Sequence, residues 1–308
     1  MKLSVNRNIG AVVWIAGLLV PLVASNSWIS ILSIFAIYAV VALSTDVVLG
    51  RAGMYDMGHA VYFGVGAYVT AILNVQYGVP ILWTMPIAVV VAAIVGMVLA
   101  APMVKLRGDY LLVATIGFNE IFRMILINDV GGVTGGPDGI FGIGVPSVFG
   151  YSISSQEGLF VLNWLLLGIA LVLMNNLDKS RLGRVFRYLK EDELAATTLG
   201  VNARYYKILA FGLGAGLAGA AGTLFATQLA TVSPSAFVFM ESVTLFAIVI
   251  VGGQASIPGV LLGTVLMFVV PQVFRDLAEY RYLVFGLAMI VVMVLRPQGI
   301  WPRRNRPE

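Results

Sequence analysis

The chain reads as an all-α polytopic membrane protein, and three observations carry that reading. Of its 308 residues, 59% are hydrophobic and only 11% are charged, where a soluble domain has about 25% charged. The mean hydropathy is +0.94. Apolar runs recur along the whole length, many of them approaching the roughly 20 residues that span a bilayer core. The net charge of +4 is then a statement about topology rather than about nucleic acid, because Lys and Arg gather on the cytoplasmic side of a membrane protein. With no Cys and a single His, the sequence offers no disulfide framework, iron–sulfur cluster or multi-histidine metal centre.

Apolar runs broken by charge or turn residues mark ten segments, at about 9–24, 28–49, 58–77, 81–104, 110–128, 159–177, 207–230, 240–252, 257–274 and 282–296. The first follows Lys2 and Arg7, as a signal peptide's apolar stretch would. No small-x-small cleavage site follows it and the next run begins at once, so it is read as a retained helix. The second closes at Gly50-Arg51. The third starts beside Asp56, a candidate N-cap, and closes at Gly78. Pro80 opens the fourth and Lys105 ends it. Asp109 is the expected N-cap of the fifth. The sixth runs into Asp178, and Asn202 can cap the helix that becomes the seventh. Gly252-Gly253-Gln254 and Pro258-Gly259 interrupt the eighth and ninth, so 240–274 either crosses twice or forms one span with a re-entrant piece. Asp46 and Glu241 lie near span ends, where snorkelling or capping is expected.

With the N-terminus inside, sixteen Lys and Arg fall on the cytoplasmic side and two, Arg275 and Arg281, on the external side, while Arg123 lies within a span. This bias places both termini in the cytoplasm. The whole chain, 1–308, forms one membrane domain with two sizeable connections. The external one, 129–158, contains GGVTGGPDGIFGIG and no Lys or Arg. Its Gly-Gly and Pro-Asp-Gly steps are tight-turn signals. Thr134, Gly135 and Asp138 either fix the loop's shape or form a periplasmic gate or contact.

The cytoplasmic one, 178–207, holds 11 of the 34 charged residues. Leu182, Val185, Phe186 and Leu189 fall at helical spacing while Arg181, Arg184 and Arg187 lie mostly off that stripe, which predicts an amphipathic helix on the inner membrane surface. The acidic run Glu191-Asp192-Glu193 follows. Asp192 is an N-cap candidate and Gly200 a C′ stop. Between them a helix of about seven residues, too short to be stable alone, offers Ala195, Ala196 and Leu199 as a small apolar surface. It is either an ordinary loop helix or a docking element.

The run EDELAATTLG (191–200) resembles the EAA-type loop of ABC importer permeases. In that loop an acidic residue, two small residues and a glycine form the coupling helix that sits in a cleft of the cytoplasmic ATPase. The carry-over falls on Glu193, Ala195, Ala196 and Gly200, with Glu191 and Asp192 beside them, although Leu194 interrupts the adjacent Glu-Ala-Ala order of many permeases. GRAGMYDMGHAVYFGVGAY (50–68), LRGDYLLVATIGFNEIFR (106–123), TGGPDGI (134–140), ESVTLFAIVIVGG (241–253) and LRPQG (295–299) are similar, in the same order, to the second permease subunit of branched-chain amino acid ABC importers, the LivM type. The resemblance implies about nine to ten spans with a cytoplasmic coupling helix, in the inner membrane of a bacterium. It implies as partners a second, homologous permease, two ATP-binding subunits, a periplasmic binding protein and membrane lipid. Relatives that carry urea or other small amino acids and amides leave the substrate open.

Candidate chemistry within the spans is sparse. The dipeptide Gly-Lys never occurs, so the chain has no Walker A loop, and ATP-Mg would be bound by the partner subunit. Gly212, Gly216, Gly219 and Gly222 lie on small-residue stripes that bring helix backbones close. Glu120 and Arg123 sit three apart inside a span, where charge is costly and rare. They either brace the bundle and gate it or contact a zwitterionic substrate. Thr115, Gly117 and Asn119 precede them and could present polar groups to a pathway. Asp56 and His59 suit a proton relay, or a cap with a packed histidine. No Ser/His/Asp system is legible, since the single His shows no convincing Ser partner, and neither a metal site nor an enzyme is expected. A proton- or sodium-driven carrier using Glu120, Asp56 or His59 is the rival reading.

Overall fold

The computed structural model describes residues 25–106, 108–148 and 151–273 continuously, with Trp14, Gly17, Leu18, Pro21, Leu283, Gly286, Leu287, Ile290, Val294, Arg296 and 298–302. The predicted segments 9–24 and 282–296 lie mostly outside these residues. Among the described residues five helices are long and apolar enough to cross a membrane, and three shorter apolar helices accompany them.

Helix α1 (Asn26–Asp46) is buried on all sides beyond Phe35. A helix that is apolar all round belongs inside a bundle. It widens into a π-turn, Val47–Arg51, closed by the Ala52 N–H on the Val47 carbonyl at 3.1 Å. The chain then leaves helical form before α2 (Ala60–Val75). At 16 residues α2 is shorter than the predicted 58–77, because Asp56 caps the loop rather than the helix: its Oδ1 accepts the Gly58 N–H at 2.8 Å. Helices α3 (Ile81–Met103) and α4 (Asp109–Ile127) follow. Gly108 (φ +56), not Asp109, occupies the N-cap of α4, and Asp109 lies in its first turn.

The 129–158 connection is built rather than loose. Its β1 (Ile140–Phe141) pairs antiparallel with β4 (Thr231–Val232), and β2 (Ser147–Val148) pairs with β3 (Tyr151–Ser152). Asp129 (φ +46) gathers the turn: its Oδ1 accepts the Thr134 N–H at 2.7 Å and the Gly135 N–H at 3.2 Å, with the Thr134 hydroxyl 2.8 Å away.

Helix α5 (Gln156–Lys179) starts at an N-cap from Ser155. Trp164 on α5 and Trp14 exchange indole N–H donations to each other's carbonyls at 2.9 and 3.1 Å. Short helices α6 (Arg181–Glu191) and α7 (Glu193–Thr198) lead to α8 (Ala203–Leu229), capped by Asn202 as expected. After β4 and a 3₁₀ turn, Pro234–Phe237, come α9 (Phe239–Gly252) and α10 (Ile257–Thr264). A second π-turn, Val265–Val269, and α11 (Val270–Val273) continue α10. Gly252 meets Gly259 and Gly263 meets Ile248, backbone against backbone. Residues 239–273 therefore form an antiparallel pair of helices joined by residues 253–256.

The core is organised around α8. Its Gly212, Gly216 and Gly219 lie against Met97, Ala93 and Ala92 of α3, Gly214 against Ser44 and Val48, and Gly222 against Phe63 and Ala67 of α2. Phe63, Phe225 and Phe237 cluster edge to face beside this contact.

Two predictions follow from this packing. Gly66 has no room for a Cβ, which would enter the Gly219 backbone, whereas Gly117 faces open space. Gly66→Val is expected to cost about 1–3 kcal/mol or more through overpacking, while Gly117→Ala leaves stability unchanged or raised by up to about 1 kcal/mol. Thermal unfolding in detergent measures both. The second concerns the loop. The Thr134 hydroxyl and N–H, then the Gly135 N–H, hold the Asp129 carboxyl below the usual carboxylate range. A depressed folded value gives order that is complete above the ordinary Asp range and is lost as pH falls through the depressed value. Exchange of the 131–139 amides, corrected for intrinsic rate, is expected to accelerate only below about pH 4, and Asp129→Ala to accelerate it at every pH.

Candidate functional site

The charged island is two helices held firmly against the bundle. Ser180 caps α6 by accepting the Gly183 N–H at 3.1 Å. Gly183, Phe186 and Leu189 of α6 are buried. Of the predicted stripe, Phe186 and Leu189 are buried against the protein, while Leu182 and Val185 are half-buried. Asp192 Oδ1 accepts the Ala195 N–H at 3.0 Å and starts α7. At the other end Gly200 N–H donates to the Thr197 carbonyl at 3.0 Å and Val201 N–H to the Ala196 carbonyl at 3.1 Å. Gly200 has φ +87, so this is a Schellman stop.

The face of α7 differs from the expected one. Ala196 is buried, and Leu199 is the C-cap rather than a helical residue. The surface that points away from the bundle carries Ala195, Leu194 at 72% exposure and Leu199 at 85%. Glu193 is tied inward, accepting from Lys207 Nζ of α8 at 2.7 Å. Glu191 and Asp192 are exposed.

Beneath the island lies a polar junction that sequence reasoning missed. Arg51 is almost fully buried. It pairs with buried Asp46 on one side and grips Asp178 on the other, through Nε to Oδ1 at 3.0 Å and Nη2 to Oδ2 at 3.1 Å. Asp46 Oδ1 also accepts the Ala255 N–H at 2.8 Å. Lys190, at the end of α6, donates to the Gly50 carbonyl and to Gln254 Oε1, both at 2.7 Å. Asp46 thus neither snorkels nor caps, because it is half of a buried ion pair. The five-residue spacing of Asp46 and Arg51 was the available signal. It fits no α-helical face, but a π-turn repeats near five residues and stacks the two.

The α4 residues divide by depth. Thr115 and Asn119 are buried and hold the backbone where helices break. Thr115 Oγ1 accepts the Met57 N–H at 3.0 Å, and Asn119 contacts the Phe237 carbonyl and the Ser242 hydroxyl at 3.4 Å. Ser242 in turn accepts the Ala60 N–H that opens α2, at 3.0 Å. Glu120 and Arg123 form a loose pair at 3.4 Å with side chains 40% and 38% exposed, and Gly117 is exposed nearby. This flank is the open one.

His59 does have a serine partner, contrary to expectation. Asp56 Oδ2 lies 2.9 Å from His59 Nδ1, and Ser44 Oγ lies 2.9 Å from His59 Nε2. The order is that of a charge relay, but all three side chains are buried in the bundle and Ser44 also lies 2.6 Å from the Val41 carbonyl. The triplet pins the non-helical segment 52–59 to α1 and offers no nucleophile to a substrate. At the opposite end from the island, Thr134 is buried beside Asp129, Gly135 has φ +73 with the Gly139 carbonyl where a Cβ would stand, and Asp138 is exposed. Among the described residues no cluster of His, Cys, Asp and Glu suits a metal ion.

These features coincide with relatedness over nearly the whole chain. The family model described as "Branched-chain amino acid transport system / permease component" matches residues 27–293. The high-affinity branched-chain amino acid transport system permease protein LivM of Escherichia coli is 37% identical, over 94% of this chain and 73% of that protein. The probable branched-chain amino acid transport permease protein LivM of Methanocaldococcus jannaschii is 26% identical over 88% of this chain and 92% of that protein. The high-affinity permease protein LivH of E. coli shows the same identity and coverage. No solved structure matches the chain. A multi-pass bundle with an α4 flank open at Glu120–Arg123 and a capped α6–α7 island is what this sequence builds, and the chain belongs to the branched-chain amino acid transport system permease family.

Proposed function

We propose that the chain is the LivM-type membrane subunit of an ATP-driven, binding-protein-dependent importer of branched-chain amino acids. The observation that carries the coupling part of this reading is α7: a six-residue helix, capped at both ends, that turns Leu194 and Leu199 away from the bundle. So short a helix is held by its caps and by Glu193–Lys207 rather than by its own cooperativity. Two exposed leucines on a rigid, capped turn form an anchor that fits an apolar cleft. The occupant of that role is a cytoplasmic ATPase subunit, which binds ATP-Mg because this chain has no Gly-Lys step.

The excess of Lys and Arg supports placing the island and both termini in the cytoplasm of a bacterial inner membrane, and the 129–148 loop toward a periplasmic binding protein. Similarity to both LivM and LivH of E. coli supports pairing with a second, homologous permease. The open flank of α4 is assigned to the shared pathway. A half-exposed Glu120–Arg123 pair is costly against lipid and is stable against water or a partner chain. Hydrolysis in the ATPases then displaces α7, and the helices alternate access around that pathway.

The test is co-purification and uptake in proteoliposomes with the partner subunits. Leu194→Asp with Leu199→Asp alters only exposed side chains and is expected to abolish ATPase capture and ATP-driven uptake while membrane insertion stays intact. Gly200→Ala places a Cβ at a left-handed position, costing about 1–2 kcal/mol, and is expected to weaken capture several-fold. Retained capture and uptake in the double variant, or uptake by this chain alone on an ion gradient, overturns the reading.

A further inference from the structure

The junction under the island joins two of the places where the helices of this bundle are broken. The π-turn Val47–Arg51 supplies Arg51 and the Gly50 carbonyl. The α9–α10 connection supplies Gln254 and the Ala255 N–H, on a backbone with Gly253 at φ +125 and Ala255 at φ +55. Helix α5 supplies Asp178 and α6 supplies Lys190. Two cations and two carboxylates meet here.

Buried ion pairs are poor sources of stability, since apolar residues of the same size often serve as well. Their best-attested use is to fix one register among alternatives. The register fixed here is that of α6 and α7 against two non-helical turns. The four charges are also graded in depth. Asp46 and Arg51 are sealed, Asp178 is 20% exposed, and Lys190 is exposed and reaches inward to its two acceptors. Water can replace the partners of Lys190 far more easily than those of Arg51. The inner pair is therefore a fixed bearing, and the Lys190 contacts are the part that can part and re-form.

We infer that Lys190 is a positioning residue which, with the Gly50 carbonyl and Gln254, forms a releasable joint carrying displacement of α6–α7 into the π-turn of α1 and the α9–α10 hairpin. The inference rests on the reading that an ATPase docks on α7. Lys190 and Gln254 lie outside the docking face, so their substitution separates transmission from docking. Gly53, whose missing Cβ leaves room for the Lys190 stem, is the fourth component: a side chain there would push the lysine aside.

The experiment uses the full complex in proteoliposomes with Lys190→Met, Gln254→Leu, the double variant and Lys190→Arg. ATPase capture and basal ATP hydrolysis are expected to stay within about twofold of the unaltered protein. The substrate-stimulated increment in hydrolysis and the uptake rate are expected to fall at least tenfold. The double variant should be no worse than Lys190→Met alone, because Lys190→Met already removes the contact to Gln254. Lys190→Arg should retain at least half of the stimulation. Unchanged stimulation in the Met and Leu variants overturns the joint, and so does a parallel loss of assembly, basal hydrolysis and uptake, which marks a static clamp. Failure of the docking reading is visible separately, as ATPase capture that survives Leu194→Asp with Leu199→Asp, and it removes the joint along with the docking site.

Discussion

A backbone that leaves helical form inside an apolar bundle must find hydrogen-bond partners within the protein, because hydrocarbon supplies none. The structure is arranged around that requirement. Several of the interruptions among the described residues are met by a polar side chain from elsewhere in the chain. Thr115 takes the Met57 N–H, Ser242 takes the Ala60 N–H, Asp46 takes the Ala255 N–H and Asn74 takes the Gly144 N–H at 2.7 Å. Removing the Ser242 hydroxyl strands the buried Ala60 N–H, at a cost of about 1–3 kcal/mol. Many of the buried polar residues inside the described spans are thus the fittings of broken helices, whereas Glu120 and Arg123 are partly exposed.

The same breaks depend on close packing. Helix α8 touches α1, α2 and α3 through glycine faces, and at Gly219 and Gly222 the neighbouring backbones are in contact. Such proximity is what lets a hydroxyl on one helix reach the main chain or side chain of another, as Thr70 and Thr223 do at 2.9 Å. Small residues and satisfied breaks are therefore one design. Bulky apolar side chains also occupy outward faces, as at Trp83, Val98 and Val113.

How far all this can be read from the sequence depends on whether the determinant is local. The long helices are legible because apolar length and flanking charge are local. So are the caps at Asp192, Gly200 and Asn202, each a residue type acting within three or four positions. The face of α7 was misjudged at Ala196, since a six-residue helix shows no period long enough to tell inside from outside. Asp46, Ser44 and Lys190 were not legible at all. Their partners lie 209, 15 and 140 residues away, at Ala255, His59 and Gly50. Three-dimensional neighbours of that separation leave no periodic trace. The Asp46–Arg51 spacing did leave one, but it has meaning only once a π-turn is allowed.

The pairing of β1 with β4 sets an order of events during synthesis. Ile140 and Phe141 hydrogen-bond to Val232 and Thr231, so the strand near residue 140 has no partner until the chain beyond residue 230 has been made and α8 has been threaded into place. Until then that loop waits outside the bundle with its strand edge open, as Trp14 waits for Trp164. The nascent protein therefore passes through a stage in which its early helices are inserted but its outer surface is unfinished, and two of its ties close only when later segments return to meet earlier ones.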